Sequence, residues 1–278
     1  MTEPRRASPP RRGPLRRSGE ARRVAALVEY DGTGYAGWQS QAHAVSLQDA
    51  VEAALSFVAG EPVTAICAGR TDAGVHAIGQ IIHFDTTAIR TPRAWVLGTN
   101  CRLAPAIALQ WAGEVSGGFH ARHSAVRRMY RYRISNSSAR PALERNRSTW
   151  IHRPLDAGAM HGAAQALLGE HDFSAFRSVE CQSKTSVRRV ERVSVQRTGE
   201  TLWLEIVANA YLHHMVRNIV GTLLEVQREA DPVAAMTAIL QAGERRLAGV
   251  TAPACGLYLW RVEYPPSYGI PAPTDRVC

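Results

Sequence analysis

The sequence has 278 residues, 45% of them hydrophobic, and a formal net charge of +9. A chain of this length and apolar content can bury a sizeable core, which excludes a wholly disordered protein. The basic charge favours a polyanionic partner such as nucleic acid, although eight arginines lie within residues 1–23 and could also serve only to solubilise a tail.

The first half of the chain alternates strand and helix patterns. Residues 1–22, rich in Pro, Arg and Ser, predict a disordered tail because they can bury too little apolar surface. The predicted strands are residues 24–30, 63–69, 80–84 and 107–115. One helix is predicted after the capping residue Ser46, and another over residues 92–97. The order β-α-β-β-α-β defines an N-terminal α+β domain over residues 23–118.

The second half repeats this order of elements. The predicted strands are residues 126–134, 187–196, 202–209 and 256–262. The predicted helices are residues 155–168, 214–226 and 232–241. Two such units predict an α+β fold of two ferredoxin-like (RRM-like) halves, each with a mainly antiparallel sheet, helices on one face and the other face free. The second α+β domain spans residues 119–265, and residues 266–278 form a C-terminal tail.

Residues 69–77, GRTDAGVHA, carry a single carboxylate, Asp72. The β-branched run before it predicts that Asp72 lies where a strand ends in a tight turn, which presents the side chain. Gly69 and Gly74 allow a ligand to approach the main chain closely, and Arg70 could keep the carboxylate ionised. Taken alone, the same pattern also fits an Asx-turn with a surface ion pair.

Two neighbouring segments carry aromatic and basic groups. Residues 119–123 read FHARH, a mixture suited to base stacking and phosphate contact. In the strand that follows, Tyr130 shares a face with Tyr132 and Ile134, which predicts a core residue. If Asp72 lies opposite this face, however, the Tyr130 ring could stack on an everted base.

The predicted helix over residues 214–226 offers a cation. His213, Arg217 and Gly221 are spaced i, i+4, i+8, which predicts a shared face on which Gly221 leaves room beside the guanidinium. From spacing alone, a solvated arginine fits equally well. His213 and His214 should diverge on a helix, so we predict no metal site there.

Several reaction classes lack their motifs in this sequence. There is no P-loop, dinucleotide fingerprint, zinc deaminase signature or Ser/His/Asp set. The five cysteines form no C-x-x-C pair, which argues against a disulfide framework and favours a cytoplasmic protein. No apolar run approaches the length of a membrane span. One carboxylate with arginines, an aromatic ring and basic segments fits the rearrangement of a nucleotide in RNA without a cofactor.

Several separate motifs of the chain resemble those of the tRNA pseudouridine synthase A family. The matching segments are residues 30–33, 37–39, 69–77, 119–122, Arg128 with 130–132, 172–177, 181–183, 213–221 and 256–259. They follow the family's order and extend over residues 24–265. The resemblance implies the pseudouridine synthase fold, in which the two sheets join into one extended central sheet.

The resemblance also implies an activity, the isomerisation of uridine to pseudouridine at positions 38, 39 and 40 of the tRNA anticodon stem-loop. It implies that Asp72, Tyr130 and Arg217 are catalytic. Tyr130 also contacts the substrate, Arg70 helps to evert the base, and Leu257 supports it. The implied partners are tRNA and a second subunit in a homodimer, and no cofactor or metal is implied.

Contacts with tRNA are implied for two segments. Their residues are Phe119, His120, Ala121, Arg122 and His123, and Glu180, Cys181, Gln182, Ser183 and Lys184. Two positions depart from the family pattern, because His123 stands where Phe is usual and Glu180 where Gln is common. A carboxylate near phosphate would weaken contact with tRNA.

Two other hypotheses fit part of the sequence. A non-catalytic RNA-binding protein on the same fold would not need Asp72 together with Tyr130 and Arg217. A methyltransferase using Cys181 as nucleophile would need a cofactor fingerprint, which the sequence lacks. If Asp72 is catalytic, it can act either as a nucleophile or as a base on the ribose, and both roles fit the sequence.

Overall fold

The computed structural model of the protein describes residues 17–274. The strands in this range are β1 (Arg17–Tyr30), β2 (Ile66–Cys67), β3 (His76–Ala88), β4 (Ile107–Val115), β5 (Arg127–Ser135), β6 (Thr149–Trp150), β7 (Gly169–Asp172), β8 (Val187–Thr198), β9 (Thr201–Ala208) and β10 (Leu257–Glu263). The helices are α1 (Leu47–Ala59), α2 (Pro92–Asn100), α3 (Ala157–Gln165), α4 (Met215–Val226) and α5 (Pro232–Ala242). The α+β class is confirmed, and β6 and β7 were not predicted.

The described strands form one extended, mainly antiparallel sheet. Its order is β4-β1-β3-β10-β5-β9-β8-β7, with β2 paired to β3 and β6 paired to β5. The first β-α-β-β-α-β unit supplies β1 to β4, and the second supplies β5, β8, β9 and β10. In each unit the fourth strand lies beside the first, the first beside the third and the third beside the second. This is the order of a split β-α-β unit.

The two units join along one edge of β3. β2 is only two residues long and pairs with β3 at Ile82 and His83. The edge of β3 is therefore open at His76 and Ala77, where β10 pairs with it in parallel. The predicted strand over residues 63–69 is therefore longer than the observed one, but in the same register residue 69 would face only Gln80. The edge of β3 at His76 and Ala77 thus lies beyond the reach of β2, and β10 continues the sheet there from one unit into the next.

Four of the five described helices begin after a residue whose side-chain oxygen accepts a backbone N–H. These capping residues are Ser46, Thr91, Asp156 and Asp231. Such caps pair donors that the first turn leaves free, so the helices begin at these residues. The cap predicted at Ser46 is confirmed. α4 is the exception, because the side chain of the preceding residue, His214, makes no capping hydrogen bond.

The helices pack against one face of the sheet and enclose a single main core. Its largest fully buried side chains include Trp38, Phe84, Phe119, Tyr132 and Phe173, which come from both units. The chain therefore buries its apolar surface as one body rather than as two separate cores. None of the helices within residues 17–274 combines the length and apolar character needed to cross a membrane.

The opposite face of the sheet is not free, contrary to the prediction. It carries a second buried cluster formed by Ile78, Met129, Val207, Tyr258 and Trp260. The Arg131 guanidinium lies 4.2 Å above the ring of Trp260, and the Tyr258 hydroxyl donates to the carbonyl of Arg147 at 2.6 Å. Segments outside the regular strands therefore cover part of this face.

Both ends of the folded region extend further than predicted. β1 begins at Arg17 and pairs with β3 at Arg17 and Arg22, so residues 17–22 belong to this strand and not to a disordered tail. Residues 1–16, the rest of that predicted tail, lie outside the described residues. In the predicted C-terminal tail, Tyr268 packs its ring 5.2 Å from Phe119, and residues 275–278 lie outside the described range.

Candidate active site

Asp72 lies on the loop between β2 and β3, where the two units of the sheet meet. The N–H of Val75 donates to the carbonyl of Asp72 at 3.1 Å, which closes a tight turn. Gly74 in this turn has φ of 76°, a left-handed conformation that favours glycine. About a quarter of the Asp72 side chain is exposed, so a substrate can reach the carboxylate. The turn predicted from the sequence is present.

The backbone around Asp72 is fixed by the glycine-rich loop that follows β1. The N–H of Trp38 donates to the carbonyl of Thr71 at 2.9 Å, and the Thr71 hydroxyl lies 2.8 Å from that of Tyr30. Gly37 approaches so closely that a Cβ there would lie 2.6 Å from the Thr71 carbonyl oxygen. Contacts from two sides therefore hold the residue before Asp72 in place.

Three basic side chains surround the Asp72 carboxylate. The Nη1 of Arg217 donates to its Oδ2 at 3.1 Å. The Nε2 of His214 lies 3.3 Å from the same oxygen, and the Nε2 of His213 lies 3.4 Å from Oδ1. The structure thus brings Asp72 and Arg217 together across the junction, whereas Arg70 is exposed. The site contains two imidazoles that the sequence did not place there.

His213 and His214 do not diverge, contrary to the prediction. α4 begins at Met215, so both histidines precede the helix, and His214 has φ of 61°. It is the one non-glycine residue with positive φ among residues 17–274, a conformation that costs about 1–3 kcal/mol. The two rings lie 4.0 Å apart and both face Asp72. Burial lowers the pKa of His214 and the Asp72 charge offsets only part of this, so its imidazole is neutral at pH 7.

Arg217 is held by residues 248–252, which we call the strap. The Nε of Arg217 donates to the carbonyl of Ala252 at 2.8 Å, so one guanidinium contacts both the strap and Asp72. We predicted that Gly221 leaves room for the guanidinium of Arg217, and this was wrong. Gly221 makes room for the strap instead. A Cβ at Gly221 would lie 1.7 Å from the carbonyl oxygen of Val250.

A buried polar network fixes the strap. Asn218 is fully buried, and its Oδ1 accepts hydrogen bonds from Thr251 at 2.6 Å and from Arg245 at 3.2 Å. Its Nδ2 donates to the carbonyl of Phe176 at 2.8 Å. Arg245 also donates to the carbonyl of Gly249 at 3.0 Å. Sequence reasoning missed this network, because nothing local indicates that Asn218 and the strap meet.

Tyr130 lies on β5 beside Gly69, which belongs to the loop that carries Asp72. Its ring is buried and meets Tyr211 edge to face at 4.8 Å, and its hydroxyl lies 3.6 Å from the position that a Cβ of Gly69 would occupy. Burial raises the pKa of Tyr130; the charge of Arg128 opposes this rise and that of Asp72 adds to it. The hydroxyl is therefore protonated at neutral pH. The prediction that Tyr130 is a core residue is confirmed, and its role in the active site stays a prediction.

Arg128 joins three segments at the site. The sequence indicated it only as part of a matching motif and assigned it no role. Its guanidinium donates to the carbonyls of Ala68 at 2.9 Å, Arg122 at 2.7 Å and Asn209 at 3.1 Å. Only 9% of this residue is exposed. Arg128 therefore positions the loop that carries Asp72 and the segment of residues 119–123 relative to each other. Leu257, another predicted substrate contact, is buried at the start of β10.

The segment of residues 119–123 is only partly available to RNA. Phe119 and Ala121 were predicted to contact RNA, but both are fully buried in the core. Their side chains are therefore not available to RNA. Arg122 and His123 are exposed, and His120 packs its ring 4.3 Å from that of His123. The alternation of buried and exposed residues explains why FHARH looks like an RNA-binding sequence and serves the core as well.

The second predicted RNA-binding segment lies beside the two histidines. Glu180, Gln182 and Lys184 are exposed, and the Oγ of Ser183 donates to a nearby backbone carbonyl at 3.0 Å. The Sγ of Cys181 accepts a hydrogen bond from the N–H of His213 at 3.5 Å. Burial disfavours its thiolate, but this bond and neighbouring ones outweigh the effect and lower the pKa of Cys181.

The sequence of the chain was compared with those of known proteins. A sequence model described as tRNA pseudouridine synthase matches residues 26–124 and 163–265, well over half of the chain. The tRNA pseudouridine synthase A of Aeromonas hydrophila subsp. hydrophila is 53% identical over 249 residues, which cover 90% of this chain and 93% of that protein. The proteins of the same name from Shewanella sp. (strain W3-18-1) and Shewanella baltica (strain OS185) are each 53% identical over 249 residues, covering 90% of this chain and 95% of theirs.

We expect Gly221→Ala to destabilise the protein by about 1–3 kcal/mol, because the added methyl group overlaps the Val250 carbonyl and displaces the strap. Gly162→Ala in α3 is the matched control. Its Cβ would meet Val233 at an ordinary 3.7 Å, so the change should be neutral or stabilising. Urea unfolding of both variants measures the difference, and equal free energies of unfolding would contradict the close approach.

Proposed function

The chain belongs to the tRNA pseudouridine synthase family, and we propose that it converts uridine to pseudouridine at positions 38, 39 and 40 of the tRNA anticodon stem-loop, with Asp72 as the catalytic carboxylate. As a member of that family it is an isomerase that acts on uridine in tRNA. The three positions and the roles of individual residues form the proposal.

The reaction sets the requirements for the site. The C1′–N1 bond of the uridine breaks, the uracil turns, C5 bonds to C1′, and a hydrogen passes from C5 to N1. Nothing is oxidised, reduced or hydrolysed in this sequence. The protein must therefore supply an anion at the ribose or base, a surface that retains the detached uracil, and a group that moves the proton.

The environment of Asp72 is the observation that carries the proposal. Its carboxylate is held within 3.1–3.4 Å of Arg217, His213 and His214, yet it stays partly open to solvent. The ion pair with Arg217 fixes the orientation of the carboxylate. An ionised, oriented and accessible carboxylate can attack C1′ or remove a proton from the ribose, and both routes remain within the proposal.

Tyr130 and Leu257 supply the surface for the detached base. The Tyr130 hydroxyl, protonated at neutral pH, lies beside Gly69 on the loop that carries Asp72. We assign its ring to stacking on the uracil and its hydroxyl to proton transfer, and Leu257 to apolar support from β10. We assign Arg70, which is exposed on this loop, to the space that an everted base leaves.

Exposed residues beside the site suit the tRNA backbone. Arg122, His123, Gln182 and Lys184 are exposed and can contact phosphate or stack on bases, whereas Glu180 opposes phosphate by its charge. The sequence resemblance over residues 24–265 supports a homodimer with a shared tRNA cleft. A cytoplasmic location fits the reducing setting that the scattered cysteines favour.

The proposal is tested by incubating the purified full-length protein with unmodified tRNA, without added cofactor, and mapping pseudouridine. We expect product at positions 38, 39 and 40. Asp72→Asn should form none while its Kd for tRNA stays within about tenfold, because the change removes the reacting anion and no phosphate contact. Asp156→Asn is the matched control, since asparagine caps α3 as well as aspartate does.

Each other outcome of this experiment contradicts a stated part of the proposal. Product only at other uridines would contradict the assigned positions. Turnover by Asp72→Asn near the wild-type rate would contradict its catalytic role. Tight tRNA binding without any product from the wild-type protein would favour the non-catalytic RNA-binding protein.

Tyr130→Phe separates a packing role from a catalytic one. If the hydroxyl takes part in proton transfer, this variant should bind tRNA normally but react more slowly by about two orders of magnitude or more. Single-turnover kinetics measures the rate, and thermal unfolding of the same variant checks the fold. Tyr132→Phe serves as a control for loss of a buried hydroxyl on the same strand. A fully active, stable Tyr130→Phe protein would show that Tyr130 serves only to pack the core and that its hydroxyl is not catalytic.

A further inference from the structure

The Asp72 carboxylate has more partners than its charge requires, because two histidines, His213 and His214, also face it. Arg217 alone can neutralise the carboxylate, yet two imidazole nitrogens also point at its oxygens. The ligand atoms of these three residues all lie within 4.8 Å of one another. Within residues 17–274, no other group of three His, Cys, Asp or Glu side chains converges in this way.

We propose that Asp72, His213 and His214 bind a divalent transition metal ion, with Zn²⁺ as the best fit, and that the bound ion blocks the isomerisation. The inhibitory part rests on the proposed role of Asp72, whereas the binding site itself does not. The site is an inhibitory one, because the proposed isomerisation needs a carboxylate that is free to react.

The distances match those of a zinc site. Nitrogen and oxygen ligands lie about 2.0–2.2 Å from Zn²⁺, and the corners of a tetrahedron of that size are about 3.3–3.6 Å apart. The Nε2 of His214 is 3.3 Å from Oδ2 of Asp72, and the Nε2 of His213 is 3.4 Å from Oδ1. Two imidazoles and a carboxylate also suit Zn²⁺, Ni²⁺ and Cu²⁺ better than Mg²⁺ or Ca²⁺, which prefer oxygen ligands.

The backbone holds this arrangement before any ion arrives. The left-handed conformation of His214 ends the preceding loop and turns its ring alongside that of His213. The N–H of His213 is held by the Sγ of Cys181 at 3.5 Å. Metal binding would therefore cost little reorganisation of the two ligands that come from this loop.

The proposed metal site is open to solvent, and Arg217 limits its affinity for a metal ion. The side chains of His213, His214 and Asp72 are 34%, 27% and 24% exposed, so a hydrated ion can enter from solvent. Arg217 donates to Oδ2, the oxygen that His214 faces, so it competes with a metal ion there, and its positive charge also repels a dication. We therefore expect reversible binding that a chelator removes, not a permanently occupied site.

Cobalt binding tests the site without any use of activity. Tag-free full-length protein, without tRNA, is titrated with Co²⁺ and followed by visible absorption. We expect saturation at one ion per chain with the intense bands of a tetrahedral site, and displacement by Zn²⁺. His214→Gln and His213→Gln should each weaken Co²⁺ binding at least about tenfold, since each removes one ligand. The exposed His43 provides the matched control, and His43→Gln should bind as the wild type does.

A second arm tests inhibition. Pseudouridine formation by the wild type and by His43→Gln should fall with added Zn²⁺ over the concentrations that displace Co²⁺, and EDTA should restore it. Absence of a tetrahedral Co²⁺ spectrum, or an unchanged spectrum in both stably folded histidine variants, would overturn the site. Saturable Co²⁺ binding with full activity in Zn²⁺ would overturn the inhibition. A protein that binds Co²⁺ as expected but forms no pseudouridine without metal would contradict the proposed function and leave the site standing.

Discussion

The ion pair between Asp72 and Arg217 joins the two halves of the molecule where their sheets meet. Its partners are 145 residues apart in sequence, one on a loop of the first unit and the other on α4 of the second. Both charges are largely shielded from water, and such groups are stable only when they are paired and hydrogen-bonded. The site therefore forms only when both units are docked. The hydrogen bonds of Arg128 and of the strap hold its two halves in place.

The shared edge of β3 is the feature of the sheet that creates this junction. β2 pairs with β3 at Ile82 and His83, β10 pairs with it at His76 and Ala77, and the chain between β2 and β3 leaves the sheet as a loop. That loop carries Asp72, and its residue Gly69 lies beside the Tyr130 hydroxyl. Arg128 connects the start of the loop to the segment of residues 119–123. Two units of four strands thus form one continuous sheet, and the loop that carries Asp72 lies where they meet.

Local patterns in the sequence predicted much of this architecture, and tertiary contacts account for the rest. The order of strands and helices, the Ser46 cap and the turn at Asp72 follow from periodicity and turn chemistry, which act over a few residues. The convergence of His213 and His214 could not be predicted, because a left-handed non-glycine residue is stable only in its tertiary setting. The burial of Phe119 and the strap over Gly221 likewise depend on residues far away in sequence.

The central claim is that Arg217 orients the Asp72 carboxylate for the reaction, and the single-turnover rate of Arg217→Gln on tRNA tests it most directly. Glutamine keeps polar atoms near the strap but removes the charge that faces Asp72. Arg246→Gln is the matched control, because Arg246 lies in the same half with its side chain 80% exposed. The account predicts that Arg217→Gln loses about two orders of magnitude in rate with tRNA affinity within a few-fold, while Arg246→Gln reacts normally. A correctly folded Arg217→Gln protein that reacts at the wild-type rate would contradict it.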